Sequence, residues 1–347
     1  MSLFANLGLQ LPVIQAPLAG VQDSRLALAV CAAGGLGSLP AAMLSLDQLR
    51  SELTTLKAGT ERPWNVNFFA HTPPLPDPAR EAAWRQALAP YYREFGIDPE
   101  SIPPGAGRMP FSHEAADLVE EFRPAVVSFH FGLPADDLLQ RVRASGARII
   151  ASATTVDEAR WLVARGVDAV IAQGLEAGGH RGHFLSDDLT QQMGTFTLLP
   201  QIAAAVSCPV IAAGGIVDGA SAAAARALGA SAVQAGTAYM LCPEATTSVL
   251  HRAALQSAAA GHTALTTLFT GRPARGIVNR LMYELGPLNQ ATPAFPLATA
   301  AIAPLRTAAE KLGRSDFSPL WSGQNTSGCR AVPAADITRE LARGFAG

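Results

Sequence analysis

The segment Gln173-Gly174-Leu175-Glu176-Ala177-Gly178-Gly179-His180-Arg181-Gly182-His183 sets an imidazole directly behind a double glycine. It follows the short apolar run Asp168-Ala169-Val170-Ile171-Ala172. Adjacent glycines let backbone N–H groups approach an anion or a ring closely. A histidine at the mouth of such a turn suits proton transfer near neutrality, which makes His180 the candidate catalytic residue. His130, in Ser128-Phe129-His130-Phe131-Gly132, ends another apolar run, and His183 shares the loop of His180. A lone histidine is more often structural than catalytic, and His183 is read as shaping the loop. No His, Asp and Glu set has a recognised ligand spacing, so no metal is expected.

Two further glycine turns could hold a phosphate. Gly214-Gly215 follows Pro209-Val210-Ile211-Ala212-Ala213, and Gly236-Thr237 follows Ala232-Val233-Gln234-Ala235. Backbone N–H groups there, with the next helix N-terminus, can seat an anion without lysine, although the same glycines could simply make tight turns. Asn67, Ser128, His130, Gln173 and Gln234 stand where strand ends would otherwise be apolar. Amides both donate and accept, which suits the edge of a flavin or nucleobase. Gly34-Gly35-Leu36-Gly37 precedes a strand instead of following one, so a dinucleotide loop is excluded, and no GxSxG supports a serine nucleophile.

Positioning these groups needs a regular scaffold. Further strands are read at Val13-Ile14-Gln15-Ala16-Pro17, Gly35-Leu36-Gly37-Ser38-Leu39, Trp64-Asn65-Val66-Asn67-Phe68-Phe69, Ala125-Val126-Val127-Ser128-Phe129 and Arg148-Ile149-Ile150-Ala151-Ser152. Helical stretches are read at 24–33, capped by Ser24, and at 45–57, 135–144, 155–165, 198–206 and 219–228. Eight strand-then-helix units whose strands are too apolar for a wet face predict an α/β fold, a TIM-type barrel of eight parallel strands. A doubly wound open sheet is the alternative. Residues 1–242 are read as the barrel, with a Pro-rich insertion at about 71–110 that carries one helix near 78–95. Residues 243–300 are read as a smaller, mostly helical cap on the substrate side. Residues 301–347 return to the barrel, through a helix at 305–312.

Composition narrows the function classes. The 347 residues are 49% hydrophobic and 16% charged, with net charge −2 and no long basic run, which gives nucleic-acid binding no support. Met1-Ser2-Leu3-Phe4-Ala5-Asn6 lacks a basic segment followed by an apolar one, and no apolar stretch reaches ~18 residues, so no membrane association is expected. Four scattered cysteines, Cys31, Cys208, Cys242 and Cys329, read as reduced thiols of a cytoplasmic protein.

The motifs resemble those of the nitronate monooxygenases, formerly called 2-nitropropane dioxygenases. The resemblance is carried by Gln15-Ala16-Pro17-Leu18-Ala19-Gly20, the 173–182 stretch, Pro209–Ile216, Val233-Gln234-Ala235-Gly236-Thr237, Gly271-Arg272-Pro273-Ala274-Arg275-Gly276 and Leu320-Trp321-Ser322-Gly323-Gln324. It implies a barrel that binds FMN without a metal, with Pro17, Leu18, Ala19, Asn67, Gln173, Gly178, Gly179, Gly215, Gln234, Gly236 and Thr237 around the flavin. It implies His180 as the base or hydrogen-bond partner of the nitro group and His130 as a lining of the substrate pocket. The implied reaction oxidises alkyl nitronates, and neutral nitroalkanes where accepted, with dioxygen to carbonyl compounds and nitrite through a flavin semiquinone. Family members often carry Tyr in a Pro-Ala-Tyr-Pro stretch; this chain has Pro293-Ala294-Phe295-Pro296, so a hydroxyl contact to substrate is missing there. Two other readings stay open: an FMN-dependent enoyl-acyl carrier protein reductase using NAD(P)H, and a non-catalytic flavin- or phosphate-binding barrel.

Overall fold

The computed structural model describes residues 6–103 and 108–346. Most of the N-terminal hexapeptide and residues 104–107, near the end of the 71–110 insertion, therefore lie outside the described residues. Eight parallel strands form one sheet: β1 (Val13–Gln15), β2 (Gly37–Pro40), β3 (Trp64–Phe69), β4 (Val126–His130), β5 (Arg148–Ala153), β6 (Ala169–Gln173), β8 (Val210–Ala213) and β9 (Ala232–Ala235). Their order is β1-β9-β8-β6-β5-β4-β3-β2, and a parallel bridge between Ile14 and Leu36 joins the two ends into a barrel. Leu36 N–H donates to the Val13 carbonyl at 2.9 Å and Gln15 N–H to the Leu36 carbonyl at 3.0 Å across that seam.

The strands alternate as a closed barrel requires. Val127, Ile149 and Val170 point outward into the core beneath the helices, whereas Val126, Ile150, Ile171 and Ile211 fill the barrel interior. Above that apolar plug the interior turns polar. Asn65 Nδ2 donates to the hydroxyls of Ser38 and Ser128, both at 2.9 Å.

Around the barrel run α1 (Ser24–Ala32), α2 (Leu46–Gly59), α4 (His113–Phe122), α5 (Asp136–Ala144), α6 (Val156–Ala164), α7 (Thr195–Ala205) and α8 (Gly219–Ala227). Ser45 and Gln48 form a reciprocal capping box on α2. The cap of α1 is Asp23, not Ser24, because the carboxylate accepts from Arg25 N–H. The helix expected to start at 198 starts at Thr195. Its N-terminus is met by the Glu176 carboxylate, which accepts from Thr195 N–H at 2.8 Å and from the Thr195 hydroxyl at 2.9 Å. That cap comes from 19 residues upstream, so no local signal announces it.

Two departures matter for the site. First, α3 (Pro78–Glu94), in the insertion after β3, packs with α10 (Arg280–Leu285) and α11 (Ala298–Lys311) around Trp84, Tyr92, Leu268 and Phe317. Trp84 Nε1 donates to the Ala298 carbonyl at 3.2 Å, and the Tyr92 hydroxyl donates to that of Ala301 at 2.6 Å. The insertion and the region after β9 thus share one apolar core, separate from the barrel's. The helix expected at 305–312 belongs to that core. The element that returns to the barrel is α12 (Ala334–Ala342), whose Ile337 and Leu341 join the main core and whose Thr338 hydroxyl lies 2.9 Å from that of Tyr239.

Second, the region read as mostly helical holds strands. β10 (Thr263–Thr266) and β11 (Ala274–Ile277) pair antiparallel, and β11 also pairs with β7 (Gly179–His180). A two-residue strand whose partner lies nearly a hundred residues away has no periodicity to detect. Between β9 and β10 lies the short α9 (Val249–Leu255), the only α-helix found within the 244–261 stretch among the described residues.

Candidate active site

The cavity at the C-terminal mouth of the barrel gathers every site residue named from the sequence. Pro17, Leu18 and Ala19 line it from the turn after β1, Asn67 from β3, His130 from β4 and Gln173 from β6. Gly178, Gly179 and His180 come from the loop that β6 feeds, Gly214 and Gly215 from the turn after β8, and Gln234, Gly236 and Thr237 from β9 and its turn. His183 is not among the lining groups; it is 1% exposed, and burial pushes its pKa down to about 4.

Buried amides fix these turns. The Gln15 side chain accepts from Ser38 N–H at 3.0 Å and donates to Gln22 Oε1 at 2.6 Å. Gln22 Oε1 in turn accepts from Leu18 N–H at 2.8 Å, which holds the Pro17–Ala19 turn against the barrel rim. Asn67 Nδ2 donates to the Ser128 hydroxyl at 3.0 Å. Gln173 uses both ends of its amide on the His180 loop. Nε2 donates to the His180 carbonyl at 2.9 Å, and Oε1 accepts from Gly182 N–H at 2.8 Å.

Glycine is required here for two distinct reasons. At Gly178 a Cβ would stand 2.5 Å from backbone atoms of Ser322 and Gly323, so the loop could not close on the C-terminal segment. Gly214 and Gly215 have φ of +115° and +72°, left-handed backbone that glycine adopts without strain.

His180 sits at the end of β7, with Ala274 of β11 as its ladder partner. Its Nε2 lies 2.9 Å from the Thr270 hydroxyl, and that hydroxyl lies 3.4 Å from the Arg272 carbonyl. When the hydroxyl proton is directed at the Arg272 carbonyl, the oxygen accepts from His180 Nε2–H and Nδ1 carries the lone pair, with no hydrogen-bond partner for Nδ1 among the described residues. Four rings surround the imidazole: Phe295 at 5.3 Å, Trp321 at 5.5 Å, Phe131 at 5.9 Å and Phe69 at 6.1 Å between centroids. Burial first, then the positive charge of Arg108, hold its pKa well below the ordinary histidine value. The imidazole is therefore neutral near pH 7.

His130 differs although it lines the same cavity. Its Nε2 faces the His180 carbonyl at 3.2 Å and must donate. Its Nδ1 therefore accepts from the Ser152 hydroxyl at 2.5 Å. Burial pushes its pKa down to about 3. Nε2 is committed to the His180 carbonyl and Nδ1 to Ser152, so this ring offers the cavity a face and no proton.

Other wall residues escaped the sequence reading. Phe69, Arg108, Ser152, His251 and Trp321 all line the cavity. Arg108 lies in the irregular, Pro-rich insertion, and Trp321 was noticed only as part of a motif. Thr270 carries no signature at all. The one available clue was the run of aromatic and basic residues near strand ends, which by itself does not separate a site from a core.

The chain is similar to known proteins over nearly its whole length. A sequence model of the family described as "Nitronate monooxygenase" matches residues 2–344. The chain is 43% identical over 344 residues to a nitronate monooxygenase of Pseudomonas aeruginosa, covering 96% of each. It is 41% identical over 349 residues to one of Paraburkholderia phytofirmans, covering 99% of this chain and 94% of that protein. Among solved structures, a nitroalkane oxidase from Streptomyces ansochromogenes superposes with a TM-score of 0.89 at 39% identity, over 99% of this chain and 98% of that one. With its eight-stranded barrel and a histidine-bearing loop at the mouth, the chain belongs to the nitronate monooxygenase family, a family of oxidoreductases.

Proposed function

We propose that the cavity binds FMN and that the protein oxidises alkyl nitronates, and neutral nitroalkanes after deprotonation, with dioxygen to carbonyl compounds and nitrite. The observation that carries the cofactor assignment is Gln234 Oε1, a buried acceptor without a hydrogen-bond partner on the cavity wall. A buried acceptor left unpaired is costly, so a ligand that donates to it is expected. The N–H edge of an isoalloxazine ring is such a donor. A Cβ at Gly179 would meet nothing within 4 Å, which leaves open space beside that loop for a bound group. The residues present therefore fit the cofactor.

Gly214–Gly215 and Gly236–Thr237 would hold the phosphate, since these turns follow adjacent strands β8 and β9 of the barrel. Pro17, Leu18, Ala19, Asn67, Gln173, Gly178 and Gly179 would border the ring system. When bound, the flavin supplies an electron acceptor that passes electrons on to dioxygen.

The chain's own residues bind, orient and move a proton. His180 Nδ1 takes the α-proton of a neutral nitroalkane and leaves the nitronate anion. With a substrate already in nitronate form no proton is taken, and His180 stays neutral. The surrounding Phe69, Phe131, Phe295 and Trp321 rings enclose the imidazole and limit its contact with bulk water.

The test is the absorption spectrum of the purified full chain, followed by oxygen uptake and nitrite release with ethyl nitronate and propionate 3-nitronate. A flavin spectrum and nitrite formation are expected. Colourless protein that cannot be reconstituted with FMN would refute the cofactor. Rapid anaerobic bleaching by NADH, without nitronate oxidation, would transfer the site to nicotinamide-dependent reduction.

A further inference from the structure

Among the described residues, Arg108 has no carboxylate partner for its charge. It lines the cavity, and its Nη1 is buried with no hydrogen-bond partner. Other enclosed arginines are engaged. Arg181 donates to the Gly174 carbonyl at 2.6 Å, the Gln173 carbonyl at 2.7 Å and the Gln192 side chain, and Arg275 donates to the Leu175 carbonyl at 2.9 Å. Arg272 donates to the His183 carbonyl and lies over the Phe131 ring at 4.3 Å. The Arg108 guanidinium has only the Phe295 ring, its carbon 5.7 Å from the centroid. Among the described residues no carboxylate pairs with it, and residues 1–5, 104–107 and 347 include no Asp or Glu. Burial alone pulls its pKa down, with no negative charge opposing it.

Its place in the barrel separates it from the phosphate turns. Arg108 lies in the stretch that returns to β3, where Phe111 N–H donates to the Phe69 carbonyl at 2.8 Å. In the ring of strands β3 lies diametrically opposite β8, which carries Gly214–Gly215. His180 and Arg108 both flank Phe295. His71, whose Nε2 donates to the Arg108 carbonyl at 3.1 Å, fixes the backbone of this arginine from behind.

We propose that Arg108 is the counter-ion of the substrate, its guanidinium receiving a planar oxyanion of the bound molecule, either the nitronate group itself or a carboxylate carried on the same molecule. The proposal rests on the reading that this cavity takes nitronates. Both oxyanions present two coplanar oxygens that match the two-pronged donor face of a guanidinium. A buried, unpaired guanidinium is unfavourable, and an anion that pairs with it gains the attraction of a site from which water is largely excluded.

The experiment compares wild type, Arg108→Gln and Arg108→Lys as the full-length holoenzyme, each first checked for its melting temperature. KM and kcat are measured with ethyl nitronate and with propionate 3-nitronate, and the binding of nitrate and of propionate is followed by calorimetry. We expect Arg108→Gln to raise KM by about tenfold or more and to weaken inert-anion binding to a similar degree, with partial recovery in Arg108→Lys. Equal losses on both substrates assign the oxyanion to the nitronate group; a loss confined to propionate 3-nitronate assigns it to the carboxylate. Unchanged KM for both substrates and unchanged inert-anion affinity in Arg108→Gln overturn the proposal. If wild type oxidises neither nitronate, the functional reading fails while nitrate and propionate binding still decide the role of Arg108.

Discussion

The Nε2 atom of His180 lies 2.9 Å from the hydroxyl of Thr270, which is 2% exposed and lies 3.4 Å from the Arg272 carbonyl. A residue 90 positions away thus hydrogen-bonds the candidate base. Thr270→Val keeps the shape and removes the hydroxyl. The hydrogen bond contributes about 1 kcal/mol, so turnover of neutral nitroalkanes should fall by roughly fivefold to tenfold. Turnover of preformed nitronates should fall less, because they need no proton removed. Steady-state rates on nitroethane and ethyl nitronate check this, and equal losses on both would mean that Thr270 serves only packing.

His180→Asn removes the base and keeps a side chain able to donate a hydrogen bond. Neutral nitroalkane turnover should drop by roughly 10²- to 10⁴-fold, the usual contribution of a positioned base, while the absorption spectrum of the bound cofactor persists. Unaltered turnover on both nitroalkane and nitronate would remove His180 from the chemistry.

The barrel was legible because its determinants are local. Runs such as Ile149-Ile150-Ala151 and Val170-Ile171-Ala172 are apolar on both faces, and only a strand covered on both sides satisfies them. The glycine turns and His180 were legible because ligand positions in such barrels follow strand ends. What could not be read depends on long-range meetings. β7 becomes a strand only because Ala274 and Arg275 arrive beside Gly179 and His180. Trp84 finds its partner at Ala298, 214 residues on, so nothing local ties the insertion and its helix to the region after β9. Gln173 was legible as a cavity-lining amide at a strand end, but its bonds to the loop that holds His180 were not.

Gly215→Asp should weaken FMN retention. A Cβ at Gly215 would stand 3.8 Å from the Glu176 Cβ, which is ordinary contact, so the effect does not come from a clash. It comes from the carboxylate, which at about 5 Å from a phosphate charge adds repulsion of about 3 kcal/mol in a partly solvated site. Gly215→Ala controls for the left-handed backbone, which costs an L-residue roughly 1–2 kcal/mol. The flavin-to-protein absorbance ratio after dialysis reads the outcome, and Gly215→Asp protein that stays fully yellow would place the phosphate elsewhere.

Acidification should destabilise the fold through its histidines before its carboxylates. Burial pushes His71, His183 and His251 down to about 4 and His130 to about 3. Unfolded, each takes up a proton near pH 6.5. Above that pH neither state is protonated and stability is unaffected. Below it the unfolded chain binds more protons, so stability falls with pH until the folded imidazoles themselves titrate at about pH 4 to 3. Between pH 6.5 and 5 most carboxylates remain ionised in both states, which isolates the histidine contribution. His251 offers a single-site check: it is 4% exposed, its Nε2 donates to the Trp321 carbonyl at 3.1 Å, and a glutamine amide can make the same bond. His251→Gln should recover about 2 kcal/mol of the loss at pH 5 relative to pH 7.5. Urea titrations of both proteins at the two pH values test it, and an equal pH-dependent loss in each would show that His251 is protonated as readily in the folded chain as in the unfolded one.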